Sequence, residues 1–267
     1  MQHLRALLLD KMPYAMHLAR TRGPSFLNAA DVTPTPTDTG LLDPDTIMAR
    51  RESVFALIKS ARYTEVVDDE QQQAQDIHVN VTGDATCAPY LFAKVVGTEE
   101  VLGTSQKSTQ KARFEQYKKQ GWANTSKTKG KWAKAKPSSF RVLGLTIDNP
   151  LECGSSSSSS SSNTGTTSSP CGNGIEIKDL NNQGQLTFNG KSVWDVRATI
   201  ILFDQNCDQA ASGTLDYLVS TAHYLPVQYK ATLTDPAGSE TFTITETMKD
   251  FGAKIKRHTI KVGSKTP

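Results

Sequence analysis

The densest group of chemically suggestive side chains lies between residues 104 and 141. Lys107, Lys111, Arg113, Lys118, Lys119, Lys127, Lys129, Lys131, Lys134, Lys136 and Arg141 are interleaved there with Phe114, Tyr117, Trp122, Trp132 and Phe140. Cations neutralise a phosphate backbone and aromatic rings stack on bases, so the mixture suits nucleic-acid contact. Lysine outnumbers arginine nine to two in this stretch, which favours diffuse electrostatics over bidentate reading of base edges. The competing reading is a solvated basic loop, or a strap docking on an acidic neighbour such as the Asp68 to Asp76 run of another copy. The contact candidates under either functional reading are the cations from Lys107 to Lys136 together with Trp122 and Trp132.

Four cysteines, Cys87, Cys153, Cys171 and Cys207, offer thiol, disulfide or metal chemistry. Cys153 and Cys171 flank a segment with eight consecutive serines, Ser155 to Ser162, which has nothing to bury and reads as a loop. A disulfide between them would clip that loop to its flanking strands, contributing about 3 kcal/mol in the chain-entropy model. Two unrelated free thiols beside a linker are the alternative, because pairing cannot be read from sequence. The states of Cys87 and Cys207 stay open. A clip implies time outside a reducing cytosol, yet Met1 to Arg20 makes a poor secretory signal. Exposure on a particle made in the cytosol and released later would reconcile the two. No metal or other cofactor is expected: there is no C-x-x-C, and His3, His17, His78, His223 and His258 do not pair at ligand spacing.

Catalytic templates are absent. The sequence lacks G-x-x-x-x-G-K-[ST], G-x-G-x-x-G after a strand, G-x-S-x-G and H-E-x-x-H. The best dyad that can be composed is Cys207 with His223, supported by Asp204 or Asp208, although a lone cysteine is more often buried structure. Asp68, Asp69 and Glu70 could bind a cation or form an acid/base pair, but consecutive carboxylates in a polar segment are usually just solvated. The N-x-[ST] triplets at Asn80 and Asn124 say little without secretion. The reading is therefore non-enzymatic, with no small-molecule substrate identified.

These residues need a scaffold, and charge is the first clue to it. Residues 1–103 carry nine basic and fourteen acidic side chains, residues 104–141 eleven and one, and residues 142–267 ten and twelve. The net charge of +3 over 267 residues thus hides one strongly basic insertion between two mildly acidic halves. A hydrophobic content of 37% and mean hydropathy of −0.44 fit a chain with a real core and many loops. No stretch approaches the roughly 18 apolar residues of a membrane-spanning helix, so no membrane span is expected.

Asp43, Pro44 and Asp45 announce a helix start, and Ile47, Val54, Phe55 and Ile58 continue it to about Ser60, with Arg50-Arg51-Glu52 exposed. Asp68 to Asp76 reads as a loop. Ile77 to Val81, Tyr90 to Val96 and Phe140 to Ile147 read as strands, while Ser105 to Gln120 is helix-compatible with Gly121 as its stop. Asn189-Gly190 and Asp235-Pro236-Ala237-Gly238 predict hairpin turns, and Lys254 to Val262 predicts a last strand. About nine strands and two or three helices result. Without βαβ alternation, the expected fold class is α+β, mainly antiparallel β, sandwich-like and hairpin-rich with one core helix. An N-terminal arm over 1–42 precedes a β-rich domain over 43–267, which holds the basic insertion at 104–141 and the Ser-rich loop at 153–171.

In general layout, with a short initial helix, a Thr/Pro arm, one helix, a hairpin-rich β domain and a polar low-complexity insertion, the chain resembles tailed-bacteriophage virion proteins of the tail, neck or capsid-decorating kind. The resemblance spans most of the chain and rests on no specific motif. It implies a non-enzymatic structural subunit of a homo-oligomeric particle, docking on copies of itself and on other virion proteins through its arm and basic strap. The virion would be its location after synthesis in the host cytoplasm. The alternative is a cytoplasmic nucleic-acid-binding module using residues 107–141.

Overall fold

The computed structural model describes residues 42–71, 75–87, 90–136, 140–143, 145–147, 149–151, 175–204 and 206–257. The expected arm up to residue 41 and the Ser-rich loop with Cys153 and Cys171 lie outside the described residues. In chain order the elements are α1 (Pro44–Phe55), β1 (Ser60–Gln71), β2 (Gln75–Thr86), β3 (Tyr90–Val101), β4 (Lys107–Tyr117), β5 (Gln120–Thr125), a 3-10 turn (Ser126–Thr128), β6 (Ala133–Ala135), β7 (Arg141–Val142), β8 (Leu145–Thr146), β9 (Ile175–Phe188), β10 (Lys191–Phe203), β11 (Gln209–Ser220), β12 (Pro226–Thr234) and β13 (Glu240–Lys249). This is the antiparallel, β-dominated α+β class expected, with one α-helix among the described residues. The chain forms two compact units: Met1–Leu57 with Ser155–Thr243, and Ile58–Gly154 with Ile244–Pro267.

In the first unit, α1 begins where the sequence signals it. The Asp43 carboxylate accepts a hydrogen bond from Thr46 N at 2.9 Å, and Pro44 occupies the first turn. The helix ends at Phe55, short of the expected Ser60, because Ser60 is already paired with Thr86 as the start of β1. Strands β12, β11, β10 and β9 lie side by side in that order. The β9–β10 turn holds Asn189 and Gly190 at φ 50° and 74°, the left-handed geometry the Asn-Gly pair supplies at low cost. At the second predicted turn Gly238 has φ 69°, and the Asp235 carboxylate accepts from Ser239 N and Glu240 N at 2.6 and 3.0 Å. Strand β11 has no counterpart in the sequence reading, although Ala211, Leu215, Tyr217 and Val219 are buried at alternate positions.

The second unit is a meander with strand order β6-β5-β4-β3-β2-β1. One face carries Val67, Val79, Val81, Ala93, Val95, Ala112 and Phe114, all buried. The small β7–β8 hairpin and its flanks cover this face. Phe140 stacks on Phe114 with centroids 4.5 Å apart, and Leu143 lies where a Cβ on Gly97 would stand. At Gly83 a Cβ would meet the ring of its register partner Tyr63 at 2.5 Å, so glycine lets that ring lie on the neighbouring strand.

Two expectations fail here for one reason. Asp68 to Gln71 end β1 and Gln75 and Asp76 start β2, where a loop was expected, and Ser105 to Gln120 is not helical but β4 with the turn into β5. In β4, Ala112 and Phe114 point to the core while Lys111 and Arg113 are exposed. Such a strand needs apolar residues on one face only, so a polar composition concealed a period of two. Of the predicted last strand, Lys254 to Arg257 form no strand and the remainder lies outside the described residues. Instead Gly252 N donates to Ser60 O at 2.9 Å and Ser60 Oγ to Ala253 O at 2.8 Å, fastening this segment beside β1.

Candidate functional site

The basic stretch is not a strap. Residues 107–135 build β4, β5 and β6, and the face opposite the core displays their cations. Register partners share a face: Lys94, Arg113 and Asn124 form one row, Val96 and Lys111 the next, and Phe92, Glu115, Trp122 and Lys134 a third. Lys118 turns at φ 55° over the Tyr117 ring, and Lys107 pairs with Glu100 at 3.2 Å. Lys127, Lys129 and Lys131 are exposed in the β5–β6 connection, with half-buried Trp132 following them, and Lys119, Lys134 and Lys136 are exposed too. The aromatics that were to stack on bases are mostly unavailable. Phe114, Trp122 and Phe140 are buried, and the Arg257 guanidinium stands 4.3 Å from the Tyr117 ring centroid and 5.7 Å from that of Trp122. Arg257 Nε also donates to the fully buried Glu115 carboxylate at 3.4 Å.

The composed catalytic sites dissolve. Cys207 is disulfide-bonded, as is Cys87, so neither carries a nucleophilic thiolate. Among the described residues no cysteine is free, whereas the Cys153–Cys171 clip lies outside them. Asp204 caps its own turn, accepting from Asn206 N at 2.8 Å and Asp208 N at 3.0 Å. Asp68 pairs with His78 Nδ1 at 2.5 Å, Asp69 is buried and Glu70 exposed. No group of His, Cys, Asp and Glu among the described residues could hold a metal ion.

A site the sequence reading missed lies on the apolar sheet face of the first unit. Trp194, Val196, Ala198, Ile200 and Leu202 alternate along β10, and register sets them beside Val219, Tyr217, Leu215, Gly213 and Ala211 of β11. Tyr229, Ala231 and Leu233 of β12 extend the same rows. Tyr217 and Tyr229 pack with centroids 5.5 Å apart. Helix α1 buries Ile47, Met48, Arg51 and Phe55, and the Arg51 guanidinium lies 5.5 Å from the ring centroids of both Phe55 and Tyr217. The expected exposed Arg50-Arg51-Glu52 face is therefore wrong at its centre: Arg51 is only 2% exposed, because it sits one turn from both Ile47 and Phe55. Arg50 stays outside and donates to Tyr224 Oη at 2.7 Å. Burial pushes the Tyr217 phenol up to about 12, with the Arg51 charge pulling the other way. The Trp194 indole N–H, on a residue 9% exposed, has no hydrogen-bond partner among the described residues.

No protein-family model and no curated protein matches the chain. Solved structures do. LprF from Mycobacterium bovis is 12% identical with a TM-score of 0.45 over 80% of this chain and 94% of that one. The lipoprotein LppX from Mycobacterium tuberculosis is 12% identical with a TM-score of 0.41 over 79% and 96%. A LolA superfamily protein from Nitrosomonas europaea is 5% identical with a TM-score of 0.32 over 81% and 96%. One of these is a lipoprotein and one a LolA superfamily member, and none is a virion protein. They correct the resemblance to tailed-phage proteins, and with it the structural-subunit function, the virion partners and the virion or cytoplasmic location. The fold gives the physical reason: the supposed strap is ordered by its own core strands and needs no neighbouring copy. The nucleic-acid alternative falls with the burial of its stacking rings.

Proposed function

We propose that the chain is a non-enzymatic carrier that binds an amphipathic ligand, such as the acyl chain of a lipid or lipoprotein, in the bacterial cell envelope. The observation that carries this reading is the apolar face of the first unit's sheet. Its β10 side chains from Trp194 to Leu202 are 9% exposed or less, one twelve-residue helix lies in the same unit among the described residues, and Ala198, Ala211, Gly213 and Ala231 are the smallest members of the face. The aliphatic side chains of this face take up an aliphatic ligand by excluding water. The Trp194 N–H, buried without an acceptor among the described residues, costs about 1–3 kcal/mol unless an oxygen meets it, and an ester or carboxyl oxygen of the ligand would supply one. Disulfides at Cys87 and Cys207 support an oxidising compartment outside the cytosol. The similar structure LppX is itself a lipoprotein.

The test is native mass spectrometry of protein purified without detergent, followed by titration with a fluorescent fatty acid. An acyl ligand bound at one equivalent is expected, and Trp194→Phe should weaken probe binding about tenfold, one hydrogen bond's worth. A ligand-free mass together with no probe binding would overturn the reading.

A further inference from the structure

We infer that the polar face of the second unit docks on an anionic phospholipid bilayer. The case begins with where the cations stand. Lys94, Lys111 and Arg113 are exposed on interior strands β3 and β4, so they are not merely the lysines that blunt a sheet edge. Asn124, next to Arg113 in register, donates to Gly130 O at 2.7 Å. That bond ties the β5–β6 connection, with exposed Lys127, Lys129 and Lys131, to the end of the same row.

Among the described residues none of these six cations forms an ion pair, and carboxylates of the same unit have other partners. Glu115 is fully buried against Arg257, Glu100 pairs with Lys107, and Asp84 and Asp250 pair with Arg62. The face therefore presents unpaired positive charge on β3, β4 and the β5–β6 connection, across a width of about 10 Å from β3 to β5. Val96, 41% exposed beside Lys111, and half-buried Trp132 add apolar contact at the level of the headgroups. Nucleic acid is the poorer fit, because a stacking platform needs exposed rings and this face has buried Phe92 and Trp122 beneath its charges. Lysines acting as point charges suit the mobile phosphates of a lipid surface. This docking goes beyond the carrier reading and does not depend on what is carried.

The test is cosedimentation of the full chain with vesicles of phosphatidylcholine and phosphatidylglycerol, against vesicles of phosphatidylcholine alone. Binding to the anionic vesicles is expected, weakening as salt is raised. Each cation at the surface contributes about fivefold, so Lys127→Gln, Lys129→Gln and Lys131→Gln together should lose about 100-fold. Replacing the same three with arginine should retain binding, and all variants should keep the parent's circular dichroism. The inference is overturned by equal binding to neutral vesicles, by a glutamine variant that binds like the parent, or by tighter binding to duplex DNA than to the vesicles at one ionic strength.

Discussion

Truncating Phe114 to alanine distinguishes a basic stretch that belongs to the fold from one that decorates it. Phe114 has no exposed surface, lies between Ala93 and Ala123 in register, and stacks on Phe140 at 4.5 Å with the rings 10° from parallel. Its small neighbours cannot fill the space it leaves, so the cost belongs in the upper part of the range for buried Phe→Ala, about 4 kcal/mol. With a urea slope of about 3 kcal/mol per molar for a chain of this size, the unfolding midpoint of the second unit should fall by about 1.3 M. Circular dichroism and Tyr/Trp fluorescence followed in parallel would read it. A cycle with Phe140→Ala should return a coupling of about 1 kcal/mol, the part of the loss that belongs to the stacked pair. If residues 107–135 were a strap without its own core, the substitution would behave as a surface change, within about 0.5 kcal/mol. A midpoint shift under about 0.2 M would refute the placement.

Three further outcomes follow from named contacts. Gly213→Ala should leave the first unit unfolded or insoluble, because the new Cβ would stand 1.8 Å from the Thr232 carbonyl oxygen; Gly213 and Leu233 are register partners, so neither strand can withdraw. A soluble variant with an unchanged melting temperature would contradict that register. The Tyr217 phenol, raised to about 12 in the fold, releases its proton more readily when unfolded, so its contribution is complete below about pH 10 and is lost as pH rises through 12. Tyr217→Phe should therefore flatten the alkaline limb of the stability profile, and an unaltered limb would show that another group governs it. Finally, alkylation of the unreduced, denatured chain should label neither Cys87 nor Cys207, since both are disulfide-bonded; peptide mapping that finds either one alkylated sinks that assignment and the compartment argued from it.

Where the sequence reading succeeded, a local chemical rule decided the outcome. Asp43-Pro44 starts a helix and Asn189-Gly190 turns a hairpin because one side chain or one tolerated φ suffices. It failed where partners across strands decide. Ser105 to Gln120 is too polar to look like a strand until β3 and β5 supply the other side of its pairing, and then only Ala112 and Phe114 need be apolar. Arg51 looked solvated as the middle of a charged triplet, yet the 3.6-residue period puts it on the face of Ile47 and Phe55. Trp194 offers no sequence signal, because an indole is noteworthy only once its N–H is known to lack an acceptor.

The one-sided sheet also makes the functional readings separable. In the second unit the apolar face holds Val79, Val81, Val95 and Phe114, and the other face carries Lys94, Lys111 and Arg113 on the same or neighbouring strands. Side chains that alternate across a strand share a backbone but not an environment. Exchanging exposed lysines there should change stability by no more than about 0.5 kcal/mol, while each removes about a fivefold factor in attraction to an anionic surface. Exchanging Phe114 does the opposite. A variant series on one strand, Lys111→Gln against Phe114→Ala, therefore separates charge from core: the first should lose vesicle binding at constant urea midpoint. If both variants lost binding and stability in parallel, the cations would be part of the fold and the division of labour between the two faces would be wrong.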